Sequence, residues 1–190
     1  FDGGSGAKAL EAMNNGAYII QHRDHGWNTI WYQPSLDISQ LSMLNNTKHY
    51  PFMISVNCRT GAFNSSNDCL IEGFLRQTTP SGESCGIVGA IAPSAQSYSY
   101  ANDAYAWGVW DFFENSFLPE WGTQTQYNNN YLPAFANISG KYFLSQYQFP
   151  NYYNDMFVTT CNIYHAHSDA FLRLFTEVPQ TMPVNHSMAI

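Results

Sequence analysis

Charged residues are scarce in this sequence. Asp, Glu, Lys and Arg make up 11% of the 190 residues, and with only 7 basic residues the formal net charge is −7. With no basic run to meet phosphate groups, this composition argues against nucleic acid as a partner. No apolar stretch approaches the roughly 18 residues that a transmembrane helix needs, so the sequence predicts no membrane-spanning segment.

The sequence also lacks the spacings that are typical of metal and redox sites. Its cysteines, Cys58, Cys69, Cys85 and Cys161, form no Cys-x-x-Cys pair and no zinc motif. A disulfide among the last three is compatible with the sequence, but nothing in the sequence supports one. There is no internal repeat, and the length suits one α/β core better than two domains.

The first residues are polar and glycine-rich, with neither an initiator Met nor the apolar core of a signal peptide. We therefore expect the chain to be a piece of a longer precursor. The low lysine content and the many Asn, Tyr and Ser residues predict a protein that is secreted or held at the cell surface.

Two apolar runs organise the chain. Residues 17–20 lead to His25, and residues 52–56 lead to Cys58. A helix-length segment at 36–45 separates the runs, so the pattern predicts a β-α-β unit with parallel strands. Because sites on such sheets lie beyond the carboxyl ends of the strands, we expect His25 and Cys58 on the same edge.

A cysteine and a histidine placed in this way can carry out nucleophilic catalysis. An imidazolium beside a thiol stabilises the thiolate, which is the nucleophile. The simpler interpretation of a cysteine at a strand end is a small buried hydrophobic residue. Two neighbouring features favour chemistry. Gly26 lets a substrate carbonyl approach its backbone N–H, and Thr60-Gly61 allows a sharp turn that exposes the thiol.

The arrangement resembles the caspase-like (clan CD) cysteine peptidases and, in detail, the gingipain family, peptidase family C25. The matching motifs are His-Gly at 25–26, Pro-Ser-Leu at 34–36, Ser-Gln-Leu at 39–41, Asn-Cys at 57–58, Phe63, Cys69, Glu72, Gly-Ala-Ile at 89–91 and Ser-Tyr at 97–98. A closing segment at 170–179 completes the resemblance. Asp24 is a departure, since gingipains have Gly before the catalytic histidine.

The resemblance implies an α/β fold of three layers, with a mostly parallel sheet flanked by helices. Residues 1–178 would be the C-terminal part of a catalytic domain whose N-terminal part is missing, and 179–190 a linker toward a following Ig-like domain. The missing part would pair with the strand at 17–20 and supply the acid that selects basic substrates. The isolated chain would then aggregate or dimerise through that strand edge.

The resemblance further implies a cysteine endopeptidase that acts on peptides or proteins. His25 and Cys58 would form the catalytic dyad, and the backbone N–H groups of Gly26 and Cys58 would stabilise the oxyanion. The substrate-binding residues would be Asp24, Trp27, Asn57, Ser97 and Tyr98. The chemistry would need no cofactor. Structural calcium is expected from the family but unplaced, with oxygen donors at Asp2, Asp37, Asp68, Asp103 and Glu120 and no EF-hand spacing.

Two other functions stay open at this point. A non-catalytic or secretion-associated gingipain-like interaction domain would keep the fold without turnover, and the Asp24 departure favours it. A metal hydrolase built on His165, His167 and Asp169 is a third interpretation, which the two-residue spacing of the histidines weakens. Peptide turnover that depends on Cys58 would separate the peptidase from both alternatives.

Periodicity and turn residues predict the remaining elements. Helices are expected at 5–15, 37–45, 69–77, 103–117, 138–148 and 153–164, strands at 17–21, 52–57, 85–92 and 171–175, and loops at 23–35 and 93–102. The aromatic residues of the 23–35 loop, Trp27, Trp31 and Tyr32, fit a substrate cleft and a cover for the sheet edge equally well.

Overall fold

The computed structural model describes residues 4–114, 131–146 and 154–175. In chain order the elements are α1 (Gly6–Asn14), β1 (Ile19–Arg23), β2 (Gly26–Trp27), β3 (Ile30–Tyr32), β4 (Ser35–Asp37), a 3-10 helix (Ile38–Met43), β5 (Phe52–Val56), α2 (Leu70–Arg76), β6 (Gly89–Pro93), α3 (Ser99–Phe113), α4 (Pro133–Gln146), α5 (Asn154–Ile163) and β7 (Tyr164–His167). The predictions for Asp2, Glu120 and the linker at 179–190 lie outside the described residues.

The main sheet has four strands in the order β1-β5-β6-β7. Strands β1, β5 and β6 are parallel, and β7 runs antiparallel to β6. The predicted parallel pairing of the two strands is therefore confirmed, but the crossover contains three short strands and a capped 3-10 helix in place of an α-helix. The apolar runs form β1 and β5 because a strand covered on both faces needs a nearly continuous run of apolar residues.

Two hydrophobic clusters cover the two faces of the sheet, which makes the three layers. Alternate residues of β5 point to opposite faces, so Met53 joins one cluster and Phe52, Ile54 and Val56 join the other. The first cluster contains residues of α1, α2 and the 3-10 helix, and the second contains residues of α3 and α4. Each fully buried large apolar side chain contributes roughly 1.5–3 kcal/mol relative to exposure.

Helix α1 matches its prediction closely. The Ser5 side chain accepts a hydrogen bond from the Lys8 backbone N–H at 3.2 Å and caps the helix. Gly16 follows with a φ of 86°, a left-handed conformation that favours glycine. The chain then enters β1 two residues later than predicted.

The loop predicted at 23–35 is wrong. Most of it folds into an antiparallel sheet in the order β2-β3-β4. The register pairs Gly26 with Trp31 and Trp27 with Ile30. On the inward side, Trp31 and Leu36 are buried and join the first core cluster. This small sheet forms because one face of a short antiparallel ribbon can rest on the core while the other faces solvent.

Three further boundaries differ from the predictions. Helix α3 begins at Ser99, inside the predicted loop, because the aromatic and alanine pattern that buries it begins there. Strand β6 occupies only the second half of the predicted 85–92 strand. The last strand is not 171–175, which has no regular structure, but β7, which pairs with β6 through Ala166 opposite Ile91.

Small residues bring α3 and α4 together. A Cβ on Gly108 would lie 2.4 Å from Phe143 Cβ, and one on Gly140 would lie 2.7 Å from the Tyr105 ring. The aromatic side chains of α3 mostly serve the core, as predicted: Phe112 and Phe113 are buried, and Trp107 and Trp110 pack against the core partly buried. Within the ranges given above, no helix combines the length and hydropathy needed to cross a membrane.

Candidate active site

The candidate site lies at the carboxyl edge of the three parallel strands. In the β1–β5 register Arg23 is opposite Val56, so the residues that follow the two strands emerge side by side. His25 and Cys58 both line the same two cavities, a larger one of about 610 Å³ and a smaller one of about 380 Å³. The loop after β6 contributes Gln96 to both cavities and Ser97 to the smaller one.

The Cys58 thiol is half-buried against Ser97. The Ser97 backbone N–H points at Sγ over 3.4 Å, and the Ser97 hydroxyl oxygen lies 3.6 Å from Sγ. The thiol can also donate to the Ser97 backbone carbonyl, 3.7 Å from Sγ. The loop after β6 therefore holds the sulfur through both the backbone and the side chain of Ser97.

A chain of hydrogen bonds holds Ser97 in place. Its hydroxyl donates to the backbone carbonyl of Asn57 and accepts from Asn102 Nδ2 at 2.8 Å. Asn102 Oδ1 in turn accepts from the Tyr164 hydroxyl at 2.8 Å. Burial raises the pKa of Tyr164 well above its usual value, so this hydroxyl stays protonated and remains a donor. Asn57 after β5, Asn102 of α3 and Tyr164 of β7 thus fix the position of the thiol.

A second, buried network lies beneath the strand ends. Asn57 Nδ2 donates to His22 Nδ1 at 2.8 Å and to Ser55 Oγ at 2.8 Å, while Thr60 Oγ1 donates to Asn57 Oδ1 at 2.6 Å. Trp31 Nε1 also donates to Ser55 Oγ, which leaves the Ser55 hydroxyl to donate to Thr60. The network joins the strand that leads to His25 with the strand that leads to Cys58.

The network requires a neutral His22. Its Nδ1 accepts from Asn57, so Nε2 carries the proton and donates to the Gln33 carbonyl at 3.1 Å. The ring stacks on Trp31 with a centroid separation of 4.3 Å. Burial lowers the pKa of His22 to about 4, and the hydrogen bond to Gln33 only partly opposes this shift.

The residue after Cys58 turns the chain. Arg59 has a φ of 59°, in the left-handed region, and its backbone N–H donates to the Ala95 carbonyl at 3.1 Å. Its guanidinium donates through Nε to Asn28 Oδ1 at 2.8 Å and lies 4.8 Å from the centre of the Trp27 ring. The predicted sharp turn after Cys58 is therefore present, one residue earlier than the Thr-Gly pair.

Gly26 is glycine for a different reason from the one the sequence suggested. A Cβ at this position would lie 2.9 Å from Asn57 Cγ and 3.0 Å from Thr60 Cγ2. The missing side chain therefore faces the buried network and lets the two strand ends approach each other. The N–H groups of Gly26 and Cys58 remain the predicted oxyanion donors.

The five predicted substrate-binding residues lie in different surroundings. Asp24 lines both cavities and accepts the backbone N–H of His25, and Trp27 lines the larger cavity. Ser97 lines the smaller cavity. Asn57 also lines the smaller cavity, while its amide lies in the buried network and positions the strand ends. Tyr98 precedes α3 with a half-exposed side chain, outside the described lining of both cavities.

Several contributors to the site were not predicted from the sequence. They are His22, Ser55 and Thr60 in the network, and Gln33 and Gln96 in the cavity walls. His22 could have been found from strand alternation, which places it on the same face of β1 as Ile20. The hairpin carrying Tyr32 has a weak signal in Asn28-Thr29, a polar pair between Trp27 and the β-prone run that begins at Ile30.

The histidines of β7 serve the fold. His165 Nε2 lies 3.0 Å from Ser94 Oγ, and the Phe63 ring meets both His165 and His167 edge-on. Burial lowers the pKa of each histidine. Among the described residues, no group of three or more His, Cys, Asp or Glu side chains could hold a metal ion. The metal hydrolase interpretation therefore has no candidate site in that part of the chain.

The described candidates for calcium ligands already have partners. Asp37 caps the 3-10 helix, Asp68 pairs with Arg76, and Asp103 pairs with Arg23 at 2.7 Å. Structural calcium stays a prediction. All four cysteines are free thiols, so the disulfide that the sequence left open is not formed.

Three parallel strands with a histidine and a cysteine at their carboxyl ends define a caspase-like α/β fold. The chain belongs to peptidase family C25, because the sequence model of that family matches residues 4–162. The gingipain resemblance is confirmed at this level.

Curated relatives match part of the chain in sequence. Gingipain R2 and gingipain R1 of Porphyromonas gingivalis are each 29% identical to it over 83 residues, which is 44% of this chain. The match spans 11% of the first relative and 8% of the second.

Solved structures agree with the fold. The crystal structure of the Arg specific cysteine proteinase gingipain R superposes with a TM-score of 0.79 at 19% identity. The match covers 95% of this chain and 38% of that chain. A complex of Porphyromonas gingivalis RgpB pro- and mature domains gives a TM-score of 0.75, also at 19% identity, covering 95% and 39%. At this identity the likeness establishes the fold, and the chain spans less than half of either solved chain.

Proposed function

We propose that this chain carries the catalytic edge of a cysteine endopeptidase that uses His25 and Cys58 as a dyad. The observation that supports the proposal most strongly is that both side chains line the same two cavities at the carboxyl edge of a parallel sheet. Membership of peptidase family C25 supports the same class of chemistry. The substrate would be a peptide segment lying across the two cavities.

In the proposed reaction, the Cys58 thiolate attacks the scissile carbonyl carbon and a C–S bond forms. The backbone N–H groups of Gly26 and Cys58 stabilise the resulting oxyanion, where loss of one donor typically costs about 10²–10³ in turnover. The C–N bond then breaks, and protonated His25 gives its proton to the leaving amine. His25 next takes a proton from water, which attacks the thioester and releases the acid and the thiolate.

Selective alkylation tests the nucleophile. Burial raises the pKa of each of the other three thiols, to about 11 for Cys69, so they are largely protonated at neutral pH. We expect one equivalent of iodoacetamide to modify Cys58 first in the full-length protein, with loss of peptide hydrolysis in proportion. Peptide mapping by mass spectrometry identifies the modified residue.

Cys161 provides the matched control, because it is also partly exposed but lies on α5, away from the described cavity walls. The Cys161→Ala protein should lose activity on alkylation as the unaltered protein does. Modification of Cys58 without loss of turnover would contradict the proposal. Absence of turnover toward any peptide library, with Cys58 unmodified, would favour the non-catalytic interaction domain.

Substrate preference also follows from the pairing of charges. Asp103, a candidate acid for binding a basic side chain, is paired with Arg23, whose guanidinium also donates to Ser99. Asp103 is therefore not a free anion. Asp24 is the remaining carboxylate in the described cavity walls, so we propose it as the acid that a basic substrate residue would meet.

We also propose that β1 pairs with a strand from the N-terminal part of the same catalytic domain. Among the described residues, the hydrogen-bonded neighbour of β1 is β5, which leaves its other edge unpaired. An open edge beside half-buried Ile19 and Ile20 would promote association. The family resemblance supports this N-terminal partner segment. It also supports a secreted or surface location, which we propose for the protein.

Hydrogen exchange tests this pairing. We expect the β1 amides that face away from β5 to be protected in the full-length protein and to exchange much faster in the 190-residue chain. That chain should sediment as dimers or larger species. The β5 amides, which are paired in both cases, provide the internal reference. A 190-residue chain that stays monomeric with protected β1 amides and full peptidase activity would contradict the proposal.

A further inference from the structure

One face of the small sheet is aromatic and continuous with the dyad histidine. The Tyr32 backbone N–H donates to the His25 carbonyl at 3.0 Å, so Tyr32 lies across from His25, and Ile30 lies across from Trp27. Cross-strand partners share a face, as do residues two apart along a strand. His25, Trp27, Ile30 and Tyr32 therefore form one face, which we call the outer face.

Burial follows the same alternation. Gly26 and Trp31 point to the opposite side and are buried, whereas the side chains of Trp27 and Tyr32 are 44% and 49% exposed. Both of these aromatic residues line the larger cavity together with His25 and Cys58. The outer face therefore presents apolar surface to whatever occupies the space beside the dyad.

The Trp27 ring is held in position from beneath. The Arg59 guanidinium lies 4.8 Å from its centre, in the range of a cation–π contact. Arg59 is itself anchored to Asn28, and Asn28 Nδ2 donates to Ser65 Oγ at 3.0 Å. A ring fixed in this way loses little conformational entropy when a ligand packs on its free surface.

The direction of the reaction decides which part of a substrate meets the outer face. In the proposed mechanism His25 protonates the leaving amine, so that amine must lie next to the His25 ring. The peptide on the C-terminal side of the scissile bond continues from the amine and runs over the residues that share a face with His25. The acyl side lies across Cys58, toward the smaller cavity.

We propose that Trp27 and Tyr32 form a specificity subsite for an aromatic or large apolar side chain immediately C-terminal to the scissile bond. This inference rests on the proposed peptidase function. When an aromatic side chain stacks on Trp27, the apolar surfaces of both rings are removed from water. This burial accounts for the preference over glycine at that position.

Acyl transfer measures this preference directly. The acyl-enzyme, formed from one peptidyl ester in the full-length protein, partitions between water and an added amine. When the amine attacks the thioester, a C–N bond forms, the C–S bond breaks, and His25 takes the proton of the amine. We expect phenylalanine amide to capture the acyl group at least about tenfold better than glycine amide.

Variants locate the preference. The ratio of phenylalanine amide to glycine amide capture, taken within each variant, should fall to within about twofold of unity in Trp27→Ala and fall clearly in Tyr32→Ala. Trp27→Phe, which keeps an aromatic ring, should restore most of the ratio. Tyr142→Ala is the matched control, since Tyr142 on α4 is also 49% exposed, and its ratio should equal that of the unaltered protein.

A binding measurement separates this inference from the peptidase function. In the Cys58→Ala protein, phenylalanine amide should shift the indole N–H signal of Trp27, assigned by its loss in Trp27→Phe, whereas glycine amide should not. If the Trp27 signal shifts but the unaltered protein shows no turnover, the binding subsite is supported and the peptidase function is contradicted. No shift, or turnover with a capture ratio that ignores Trp27, would overturn the subsite.

Discussion

Replacing Cys58 with alanine should reduce peptide hydrolysis by at least about 10³-fold. Alanine removes the sulfur that would form the acyl-enzyme, and no other thiol lies in the described walls of the two cavities. The measurement is kcat/KM on a peptide library cleaved by the full-length protein. Substrate affinity should change much less, because the side chain contributes one atom to the binding surface.

A companion substitution shows that the loss is chemical. Cys161→Ala should keep turnover within about twofold, since Cys161 lies in a helix remote from the dyad. Both variants should unfold at similar denaturant concentrations, because Cys58 is only half-buried. Full activity of Cys58→Ala would end the dyad mechanism, whatever the alkylation experiment gave.

Acid should destabilise the fold through His22. In the unfolded chain its pKa is about 6.5, whereas burial lowers the pKa to about 4 in the folded protein. Between these values the unfolded chain binds more protons, so the free energy of unfolding falls as the pH drops. The stabilisation is complete above about pH 6.5 and is lost toward about pH 4, for a total of about 3 kcal/mol.

Denaturant titrations of the full-length protein at about pH 7.5 and about pH 5 measure this loss. His22→Gln should show a weaker dependence on pH and lower stability near neutrality, because the bond to Asn57 is disturbed. His49→Gln is the control, since His49 is exposed, and its stability should depend on pH as that of the unaltered protein does.

An unchanged pH dependence of stability in His22→Gln would show that other groups cause the acid lability. His165 and His167 would then be the groups to replace next, because burial lowers their pKa values in the same direction.

The placement of His25 and Cys58 at one edge of the sheet was predictable because it depends on local patterns. Apolar runs mark β1 and β5, and a parallel sheet delivers whatever follows its strands to one edge. His25 and Cys58 required no knowledge of packing beyond that rule. Ser97 was found from the family resemblance, and its contact with the thiol depends on where the loop after β6 falls.

The buried network was not predictable in the same way. His22 and Asn57 are 35 residues apart, and their hydrogen bond exists only once β1 and β5 are in register. The prediction of the last strand was wrong for a related reason. An apolar pattern favoured 171–175, yet the polar sequence of β7 forms the strand, because pairing with the edge of β6 outweighs local preference.

The small sheet was missed because strands of two or three residues carry almost no periodicity. Its alternation of buried Trp31 and exposed Tyr32 becomes clear only when the partner strands are known. The aromatic residues of this segment serve both of the roles that the sequence left open. Trp31 covers the core, and Trp27 and Tyr32 line the larger cavity.

The hairpin that carries Trp27 and Tyr32 also carries His25, and this has an evolutionary consequence. If His25 is the general acid, as proposed, natural selection for a new cleavage sequence would act on the same few residues that hold it. A substitution that tilts the hairpin would alter the preferred product and the reaction rate together. Cys58, which follows a separate strand and has its own contact with Ser97, would stay in place while those two traits change together.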